Sequence, residues 1–374
     1  MPAGYVVGPD DHAFATRDRR VAHARIVIPA YRATDTIRDC VCAVLNSTMS
    51  QDCEIVVVDD GENGGLATLL ADLPVAIVPS FSGSAATARN RGAGNCTVPW
   101  LVFLDADVIV EASCLEQLLE PLRRGDADAS VGNYSRDVGG LSFGGRYKQL
   151  YIACMNERRR PMLNTFWTAI GAVNTRAFAA LGGFDTGFKG ANGEDADLGA
   201  RLAAQGFRIL PVPSARGQHC HSLTLRQLFA NDWRKGMGAM LHYRQCDGAL
   251  SDNCHATLRD KLSVGMAILL PALLATLPIG GEDARALALG TGSWALLYLA
   301  ARRDVFLSFW SSGLRFAAAA LPLMFALDWV RGACVVGSLL SQPVAARTRE
   351  ANANGGAWHT IFQGRIRVEG DSKR

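Results

Sequence analysis

The chain has 374 residues, enough for one large or two ordinary domains, and a formal net charge of +3 at pH 7. Hydrophobic residues make up 49% and charged residues 20%, which excludes disordered and collagen-like chains, and the near-neutral charge gives no sign of a nucleic-acid-binding face. The 10 cysteines form no C-x-x-C pair, so reduced thiols are expected instead of a disulfide framework or a structural zinc site. The polar start, without a basic segment followed by an apolar core, predicts no signal peptide.

Apolar runs and helical patterns alternate after a polar arm at residues 1–22. Residues 25–31 and 54–61 predict two buried strands, and residues 36–45 predict a helix between them that Asp35 caps. Strand, helix and strand at this spacing indicate a βαβ unit. The continuous Ile and Val runs suit parallel strands that are covered on both faces.

The alternation continues with a helix over 66–70, a strand over 75–78, an alanine-rich helix over 85–93 and a strand over 100–104. The last of these strands runs directly into Asp105-Ala-Asp107, and the second strand also ends in carboxylates. In an open α/β sheet the carboxyl ends of the strands form the edge where ligands bind. We therefore expect a ligand site at this edge.

The next part of the chain is less regular. Residues 130–170 mix glycine, aromatic and basic residues and give no clear pattern. A helix begins after Gly193, with Leu198 and Leu202 four residues apart on its core face, and residues 208–212 predict a late strand.

The C-terminal hundred residues are strongly apolar. Residues 262–281, 286–301 and 316–340 predict membrane helices, since a spanning helix needs about 20 apolar residues, although the second segment is marginal in length. Asp328 and Arg331 interrupt the third segment three residues apart, a spacing at which they can pair on one helical face.

Residues 303–315 alternate aromatic and leucine side chains with charged or small ones, which suits a helix that lies in a membrane interface. Two alternatives remain open for the apolar segments. They are buried helices of a soluble domain, or hairpins that enter a membrane without crossing it.

Paired carboxylates carry the clearest chemical signal. Asp105 and Asp107 can share work on a divalent cation, because Mg²⁺ and Mn²⁺ prefer carboxylate oxygen together with substrate phosphate; the alternative is a solvated turn. Asp59 and Asp60 can accept a base N–H or a ribose hydroxyl. The alternative for these two residues is an Asx turn before Gly61.

Glu194 and Asp195 stand at a predicted helix start, where the helix N-terminus favours a carboxylate, so capping alone would explain one of them. Two adjacent acids repel each other, however, and this raises the pKa of one towards the range of a general base. Asp197 and Arg201 are four residues apart and predict an ion pair.

Two histidines and two arginines complete the candidate groups. His219 and His221 alternate along an extended segment, so both point to the same side. Three roles are open for them: metal ligand, contact to a diphosphate, or loop histidine whose hydrogen bonds are made within the protein. We predict that His221 is a metal ligand. Arg89 and Arg91 would offset phosphate charge, unless they are only solvated.

The chain contains, in this order, the motifs Ile28-Pro-Ala-Tyr31, Val58-Asp-Asp-Gly61, Ala88-Arg-Asn-Arg-Gly92, Leu104-Asp-Ala-Asp107, Gly182-Gly-Phe-Asp185 and Glu194-Asp-Ala-Asp-Leu198. Their order and spacing resemble family 2 glycosyltransferases of the GT-A fold, over about residues 24–245. The hydrophobic tail is also similar to that of membrane-attached members of this family.

The resemblance implies how a donor would be held. Pro29, Tyr31 and Asp60 would line a nucleobase pocket, and Asp105 would face the ribose or a metal-bound water. Arg89 joins them as a donor-binding residue. The donor would be a nucleotide-diphosphate sugar, with a UDP-sugar favoured.

The resemblance also implies the chemistry. Asp107 would hold a divalent cation, Mn²⁺ or Mg²⁺, that bridges the donor diphosphate, with His221 beside it. Asp195 would deprotonate the acceptor hydroxyl, with Glu194 next to it. Single displacement at the anomeric carbon would invert its configuration, as expected of a hexosyltransferase of this kind.

The sequence departs from the family pattern at two places. Glu62 and Gly64 stand where the family often has a serine and a further aspartate, so we expect a different donor loop. The Q-x-x-R-W element of processive synthases is missing, and residues 231–235 lie in the expected region without matching it. We therefore expect one sugar to be transferred per encounter.

The predicted fold class is α/β, with a Rossmann-like mixed, mostly parallel sheet and flanking helices over residues 23–250. Membrane-associated helices over 251–345 and a basic tail over 346–374 follow. We expect a membrane enzyme, bacterial and of the inner membrane, with a cytosolic catalytic domain, a lipid or lipid-linked acceptor and no nucleic-acid partner.

Two other functions remain open at this point. One is a catalytically inactive membrane scaffold subunit, against which the intact carboxylates argue. The other is a sugar nucleotidyltransferase, which would carry a glycine-rich phosphate loop that residues 29–32 match poorly.

Overall fold

The computed structural model describes residues 23–61, 65–158, 162–188, 193–220, 222–245, 257–277 and 283–340. The strands are β1 (Ala24–Ala30), β2 (Cys53–Asp59), β3 (Ala76–Pro79), β4 (Trp100–Leu104), β5 (Val108–Val110), β6 (Ala129–Tyr134), β7 (Ile170–Asn174) and β8 (Ile209–His219). The helices are α1 (Ile37–Leu45), α2 (Leu66–Leu69), α3 (Ala85–Ala93), α4 (Cys114–Arg123), α5 (Phe143–Glu157), α6 (Thr175–Ala180), α7 (Glu194–Ala204), α8 (Leu225–Gln245), α9 (Leu258–Thr276), α10 (Ala284–Ala301), α11 (Arg303–Trp310) and α12 (Leu314–Leu340).

The strands form one eight-stranded mixed sheet in the order β3-β2-β1-β4-β7-β6-β8-β5. β1 pairs in parallel with β2 and β4, and β2 pairs in parallel with β3. β7 runs antiparallel between β4 and β6, while β8 returns parallel to β6. The carboxyl ends of β1, β2 and β4 therefore share one edge of the sheet, as the sequence predicted.

Apolar side chains cover both faces of this sheet. Ile26 and Ile28 of β1 belong to the cluster that includes α1 and α4, whereas Val27 belongs to the cluster that includes α3. A Cβ atom on Gly92 of α3 would lie only 2.4 Å from Cγ1 of Val27, so glycine allows this helix to approach the sheet closely. Burial on both faces explains why residues 26–30 of β1 form a continuous apolar run.

The early elements lie where the sequence placed them, to within a few residues, but one cap prediction is wrong. α1 begins at Ile37 with Thr36 as N-cap and without a side-chain cap hydrogen bond. The backbone carbonyl of Ala33 accepts from the N–H groups of Thr36 and Ile37, at 3.1 and 2.9 Å. A backbone turn thus does what we assigned to Asp35.

Two further regions are more regular than their sequence indicated. The segment 130–170 contains β6, α5 and the start of β7. β8 continues seven residues beyond the predicted strand end at Val212 and ends at His219. Every cysteine in the described part of the chain is free.

The helices from α8 to α12 pack around α5 in a separate apolar cluster. Tyr147 and Leu150 of α5 pack in it with Phe309 of α11 and Phe316 of α12. The rings of Tyr147 and Phe309 are 4.9 Å apart, and those of Phe309 and Phe316 are 5.9 Å apart. This cluster joins the C-terminal helices to the sheet domain, with α5 at its centre.

A buried ionic cluster connects α9, α10 and α12. Arg302, whose side chain is 1% exposed, donates to Asp260 at 2.8 Å and to both carboxylate oxygens of Asp328 at 2.8 and 2.7 Å. Tyr298 also donates to Asp328, at 2.9 Å. Arg331 lies 2.8 Å from Asp328, which confirms the pair expected from their spacing. Partners of opposite charge offset the cost of burying these groups.

Among the described residues, one helix, Leu314–Ser338, is long and apolar enough to cross a membrane by length and composition. α9 and α10 are less apolar by that measure but expose large leucines, among them Leu269, Leu289 and Leu296, which are 51%, 74% and 68% exposed. α11 ends at Trp310 and is shorter than the interfacial helix predicted over 303–315.

Candidate active site

The functional side chains gather at the sheet edge formed by the carboxyl ends of β2 and β4. Asp105 follows β4, and Asp107 lies before β5, which pairs antiparallel with β8. The register places Val108 opposite His219, and the N–H of Cys220 donates to the carbonyl of Asp107 at 2.7 Å. This pairing brings a histidine from late in the chain to the paired carboxylates.

A buried arginine connects the two acidic motifs. Nη1 of Arg89 donates to Oε1 of Glu194 at 2.7 Å, and Nη2 donates to Oδ1 of Asp105 at 2.9 Å. The side chains of Arg89 and Glu194 are 4% and 3% exposed, whereas that of Asp105 is 33% exposed. Arg89 therefore joins Asp105 on the sheet to the start of α7, and it is not a solvated arginine.

Electrostatics distinguish the two acids at the start of α7. Burial, together with the neighbouring charge of Glu194, raises the pKa of Asp195 to about 6, although Arg89 opposes this shift. Oδ1 of Asp195 accepts the N–H of Ala196 at 2.8 Å. Burial disfavours the charge of Arg89, yet the surrounding carboxylates raise its pKa. Asp195 is thus the acid whose proton affinity suits a general base.

Asp107 and His219 form the second half of the site. Nε2 of His219 lies 3.4 Å from Oδ2 of Asp107. The imidazole packs 5.1 Å from the ring of Tyr134, and its backbone N–H donates to Gln149 at 2.9 Å. These contacts hold the imidazole beside the carboxylate.

The side chains of Asp107 and His219 fit a divalent cation that also binds oxygen atoms of a substrate. In the described ranges no group of three or more His, Cys, Asp or Glu side chains stands ready to hold a metal by itself. Asp107 and His219 would supply two ligands, and Mg²⁺ or Mn²⁺ commonly takes one or two protein ligands together with phosphate oxygens. His221, our choice from the sequence, lies outside the described residues.

The predicted nucleobase residues lie at the ends of β1 and β2. Oδ1 of Asp60 accepts from the backbone N–H and the hydroxyl of Ser82, at 2.6 and 2.9 Å, so this buried carboxylate anchors the loop before α3. Tyr31 is 52% exposed, and Pro29 is half-buried. Asp59 accepts the N–H of Gly61 at 3.1 Å. This contact is the Asx turn that the sequence analysis gave as the alternative to ligand binding.

Several motif residues hold the site together without facing it. Asn90 donates to the carbonyl of Phe184 and accepts its N–H, both at 2.8 Å. Arg201 pairs with Asp197 at 2.7 Å, as predicted, and also donates to the carbonyl of Gly183 at 2.9 Å. These bonds connect the arginine-asparagine motif, the glycine-glycine-phenylalanine motif and α7.

The sequence analysis missed other residues near the site. Gln149 lies on α5, in the segment that gave no clear pattern, and Trp167 packs 4.8 Å from Tyr134. Lys235 of α8 is near enough to Asp195 for its charge to lower the pKa of that carboxyl. No local pattern identifies these residues, because their position depends on how α5 and α8 pack.

Comparisons with known proteins show similarity to glycosyltransferases. The family model described as glycosyl transferase family 2 matches residues 25–181, and one described as the N-terminal domain of galactosyltransferase matches residues 148–223. The pre-mycofactocin glycosyltransferase of Mycobacterium tuberculosis is 28% identical over 338 residues, covering 81% of this chain and 67% of that protein. Glycosyltransferase GlyG of Streptococcus pneumoniae is 32% identical over 115 residues, covering 29% of this chain and 38% of GlyG.

The fold has a counterpart among solved structures. The mannosyltransferase PcManGT from Pyrobaculum calidifontis, solved in complex with GDP-Man and Mn²⁺, superposes with a TM-score of 0.52 at 18% identity. The superposition covers 85% of this chain and 87% of the mannosyltransferase. At this identity the likeness concerns the fold, which confirms the expected GT-A architecture of a mixed sheet with flanking helices.

Proposed function

The chain belongs to the family 2 glycosyltransferases, and from this premise we propose an inverting, metal-dependent enzyme that uses a nucleotide-diphosphate sugar. The acceptor is a lipid or a lipid-linked saccharide at the cytosolic face of a membrane. One observation carries the proposal. Arg89 donates hydrogen bonds to both Asp105 and Glu194. Asp105 lies beside the candidate metal-binding residues and Glu194 beside the candidate base, so one side chain connects the proposed donor and acceptor sites.

The acceptor side supplies the base. With a pKa of about 6, Asp195 is mostly a carboxylate at neutral pH and takes the proton of the acceptor hydroxyl. The acceptor oxygen forms the new bond to the anomeric carbon while the bond from that carbon to the diphosphate oxygen breaks. One displacement of this kind inverts the configuration. Glu194, held by Arg89, lies next to Asp195 at the start of α7.

The donor side holds the diphosphate. Asp107 and His219 would hold a divalent cation, Mn²⁺ or Mg²⁺, which stabilises negative charge on the leaving diphosphate when bound. His221 stays a predicted ligand from the sequence. The contacts of Arg89 with two carboxylates favour a role in positioning Asp105 over direct contact with phosphate.

The nucleobase pocket is proposed at Pro29, Tyr31 and Asp60, at the ends of the first two strands. The fixed loop contact of Asp60 supports it, because a preformed pocket wall costs less to order on binding. The sequence favoured UDP, whereas the solved neighbour carries GDP-Man. Both nucleotides therefore belong in the test.

Membrane attachment is proposed from the C-terminal helices. The apolar helix Leu314–Ser338 and the exposed leucines of α9 and α10 support it. The catalytic domain then faces the cytosol, where nucleotide sugars are made, and the membrane is the bacterial inner membrane.

The test uses membranes that contain the full chain, a panel of UDP- and GDP-sugars, and Mn²⁺ or a chelator. Release of nucleoside diphosphate from one donor, dependent on metal and lost in Asp107→Asn, is the expected result. Asp126→Asn is the matched control, because Asp126 is an exposed carboxylate away from the site. Without any release, even after a total lipid extract is added, the inactive scaffold would be the better reading. Family membership already counts against the nucleotidyltransferase.

A further inference from the structure

Two exposed aromatic side chains flank the buried carboxylate of Asp60. Tyr31 follows β1 and is 52% exposed, and Phe81 follows β3 and is 64% exposed. β2 lies between these two strands and runs parallel to both, and Asp60 directly follows it. The three side chains therefore stand at the ends of three neighbouring strands, on the edge where open α/β sheets bind ligands.

Hydrogen bonds fix the chain on both sides of Asp60. Its N–H donates to the carbonyl of Ala30 at 3.0 Å, which places Tyr31, the next residue, on one side. On the other side, Oδ1 of Asp60 accepts the N–H of Ser82 at 2.6 Å, and Phe81 is the residue before Ser82. Neighbouring strands are about 4.8 Å apart, so the strand ends that carry the two aromatic residues are roughly 10 Å apart. Stacked rings have centres about 4.5–7 Å apart, so this separation suits one flat base between two rings.

Phe81 has a backbone conformation that a bulky residue rarely adopts. Its φ is +54°, in the left-handed region. The residues around it are held in place. The N–H of Ser80 donates to the carbonyl of Asp59 at 2.7 Å, and the hydroxyl of Ser82 accepts the N–H of Ser84, the N-cap residue of α3, at 3.2 Å. Such conformations persist where the surrounding structure imposes them, and they are frequent at ligand sites.

Packing inside the protein does not account for this aromatic residue. Within the described ranges, Phe81 belongs to none of the three apolar clusters. A single exposed aromatic residue is ordinary on a protein surface, but this one is fixed beside a buried carboxylate at the ligand-binding edge. The guanidinium of Arg32 lies over the ring of Tyr31, 5.2 Å from its centre, so a ligand that stacks on Tyr31 uses the opposite face.

We propose that Phe81 stacks on the base of the donor nucleotide, so that the base lies between Tyr31 and Phe81 with an N–H edge towards Asp60. This inference rests on the proposed function and adds the residue that covers the second face of the base. The bonds from Ser82 both go to Oδ1 of Asp60, and Oδ2 has no hydrogen-bond partner among the described residues. Oδ2 is therefore the oxygen that accepts an N–H of uracil or guanine.

The experiment measures binding to the full chain in dodecyl maltoside micelles by isothermal titration calorimetry. The probes are UDP, GDP and pyrophosphate, each with Mn²⁺, and pyrophosphate is the probe without a base. Phe81→Asn removes the ring, and asparagine tolerates the left-handed region better than phenylalanine does. Phe81→Tyr is the matched control, because it keeps an aromatic ring at the same position. Thermal unfolding of both variants checks the fold, and we expect no loss of Tm because the side chain is exposed.

We expect Phe81→Asn to lose about tenfold in affinity for the nucleotide that the wild type binds, since stacking of a base on an aromatic side chain contributes about that much. Phe81→Tyr should bind this nucleotide like the wild type. Pyrophosphate should bind to Phe81→Asn and to the wild type equally, because it has no base to stack. A variant whose only defect is a disturbed loop would lose affinity for pyrophosphate as well, and that result would overturn the proposal.

The same titrations separate this inference from the proposed function. A wild type that binds neither UDP nor GDP would contradict the nucleotide-sugar donor itself, and the stacking with it. If the wild type binds a nucleotide and Phe81→Asn binds it equally well, the donor assignment stands and the role of Phe81 is overturned. If Phe81→Tyr loses as much affinity as Phe81→Asn, the aromatic ring is not what the base contacts, and the proposal is likewise overturned.

Discussion

Replacing Arg89 with methionine is the sharpest test of how the site is assembled. The change keeps an unbranched side chain and removes the guanidinium that holds Glu194 and Asp105. Glu194, 3% exposed, is left as a buried carboxylate without this partner, whereas Asp105 at 33% exposure keeps contact with water. Removing one partner of a buried ion pair costs about 3–5 kcal/mol, and we assign most of that cost to Glu194.

The assay is thermal unfolding of the full chain in detergent, followed by circular dichroism. At about 2–4 °C per kcal/mol, Arg89→Met should lower Tm by roughly 6 °C or more. Arg38→Met is the matched control, because Arg38 pairs with Asp72 at the surface, where water screens ion pairs and they add little to stability. The double variant Arg89→Met/Glu194→Gln should recover most of the loss, since the buried side chain that lost the arginine is then neutral.

The reasoning on Arg89 is refuted if Arg89→Met unfolds at the same temperature as Arg38→Met. It is equally refuted if the double variant is no more stable than the single one. Either result would mean that Glu194 finds compensation without the arginine.

Three further predictions concern catalysis, the cation and packing. Sugar transfer should rise with pH through about 6 and then level off, because Asp195 acts as the carboxylate, and Asp195→Asn should lower kcat about 10²–10⁴-fold; a flat profile from pH 5 to 8 would contradict this role. His219→Ala should raise the Mn²⁺ concentration for half-maximal activity by about tenfold or more, measured by metal titration, and an unchanged titration would exclude it as a ligand. Gly92→Ala should destabilise the chain by about 1–3 kcal/mol in thermal unfolding, while Gly290→Ala, which meets no atom within 4 Å, should not; equal Tm values would refute the close approach of α3 to β1.

The sheet was predictable from sequence because its signals are local. Within the three predicted strands, residues 26–30, 55–58 and 100–104 are continuous apolar runs, as strands buried on both faces must be. The pair Asp328–Arg331 was predictable for the same reason, since helical spacing alone brings it together. The predicted helix cap at Asp35 was wrong, because the backbone carbonyl of Ala33 accepts the N–H groups at the start of the helix.

The site was only partly predictable, because its key contacts join distant parts of the chain. The sequence marked Arg89 and Glu194 separately, yet their hydrogen bond spans 105 residues and no spacing rule connects them. His219 lies next to Asp107 because β5 pairs with the last residues of β8. The predicted strand ended at residue 212 and therefore did not include them. Gln149 lay in a segment without a clear pattern, and the bond that it accepts from the N–H of His219 spans 70 residues.

The central claim is that one carboxylate at the start of α7 activates the acceptor for transfer from a nucleotide sugar. The most direct measurement follows a radiolabelled sugar from its nucleotide donor into a lipid extract, with purified wild type and Asp195→Asn in the presence of Mn²⁺. The account predicts labelled lipid with the wild type and none with Asp195→Asn, while both bind the nucleoside diphosphate equally. Equal labelling by both proteins would contradict it.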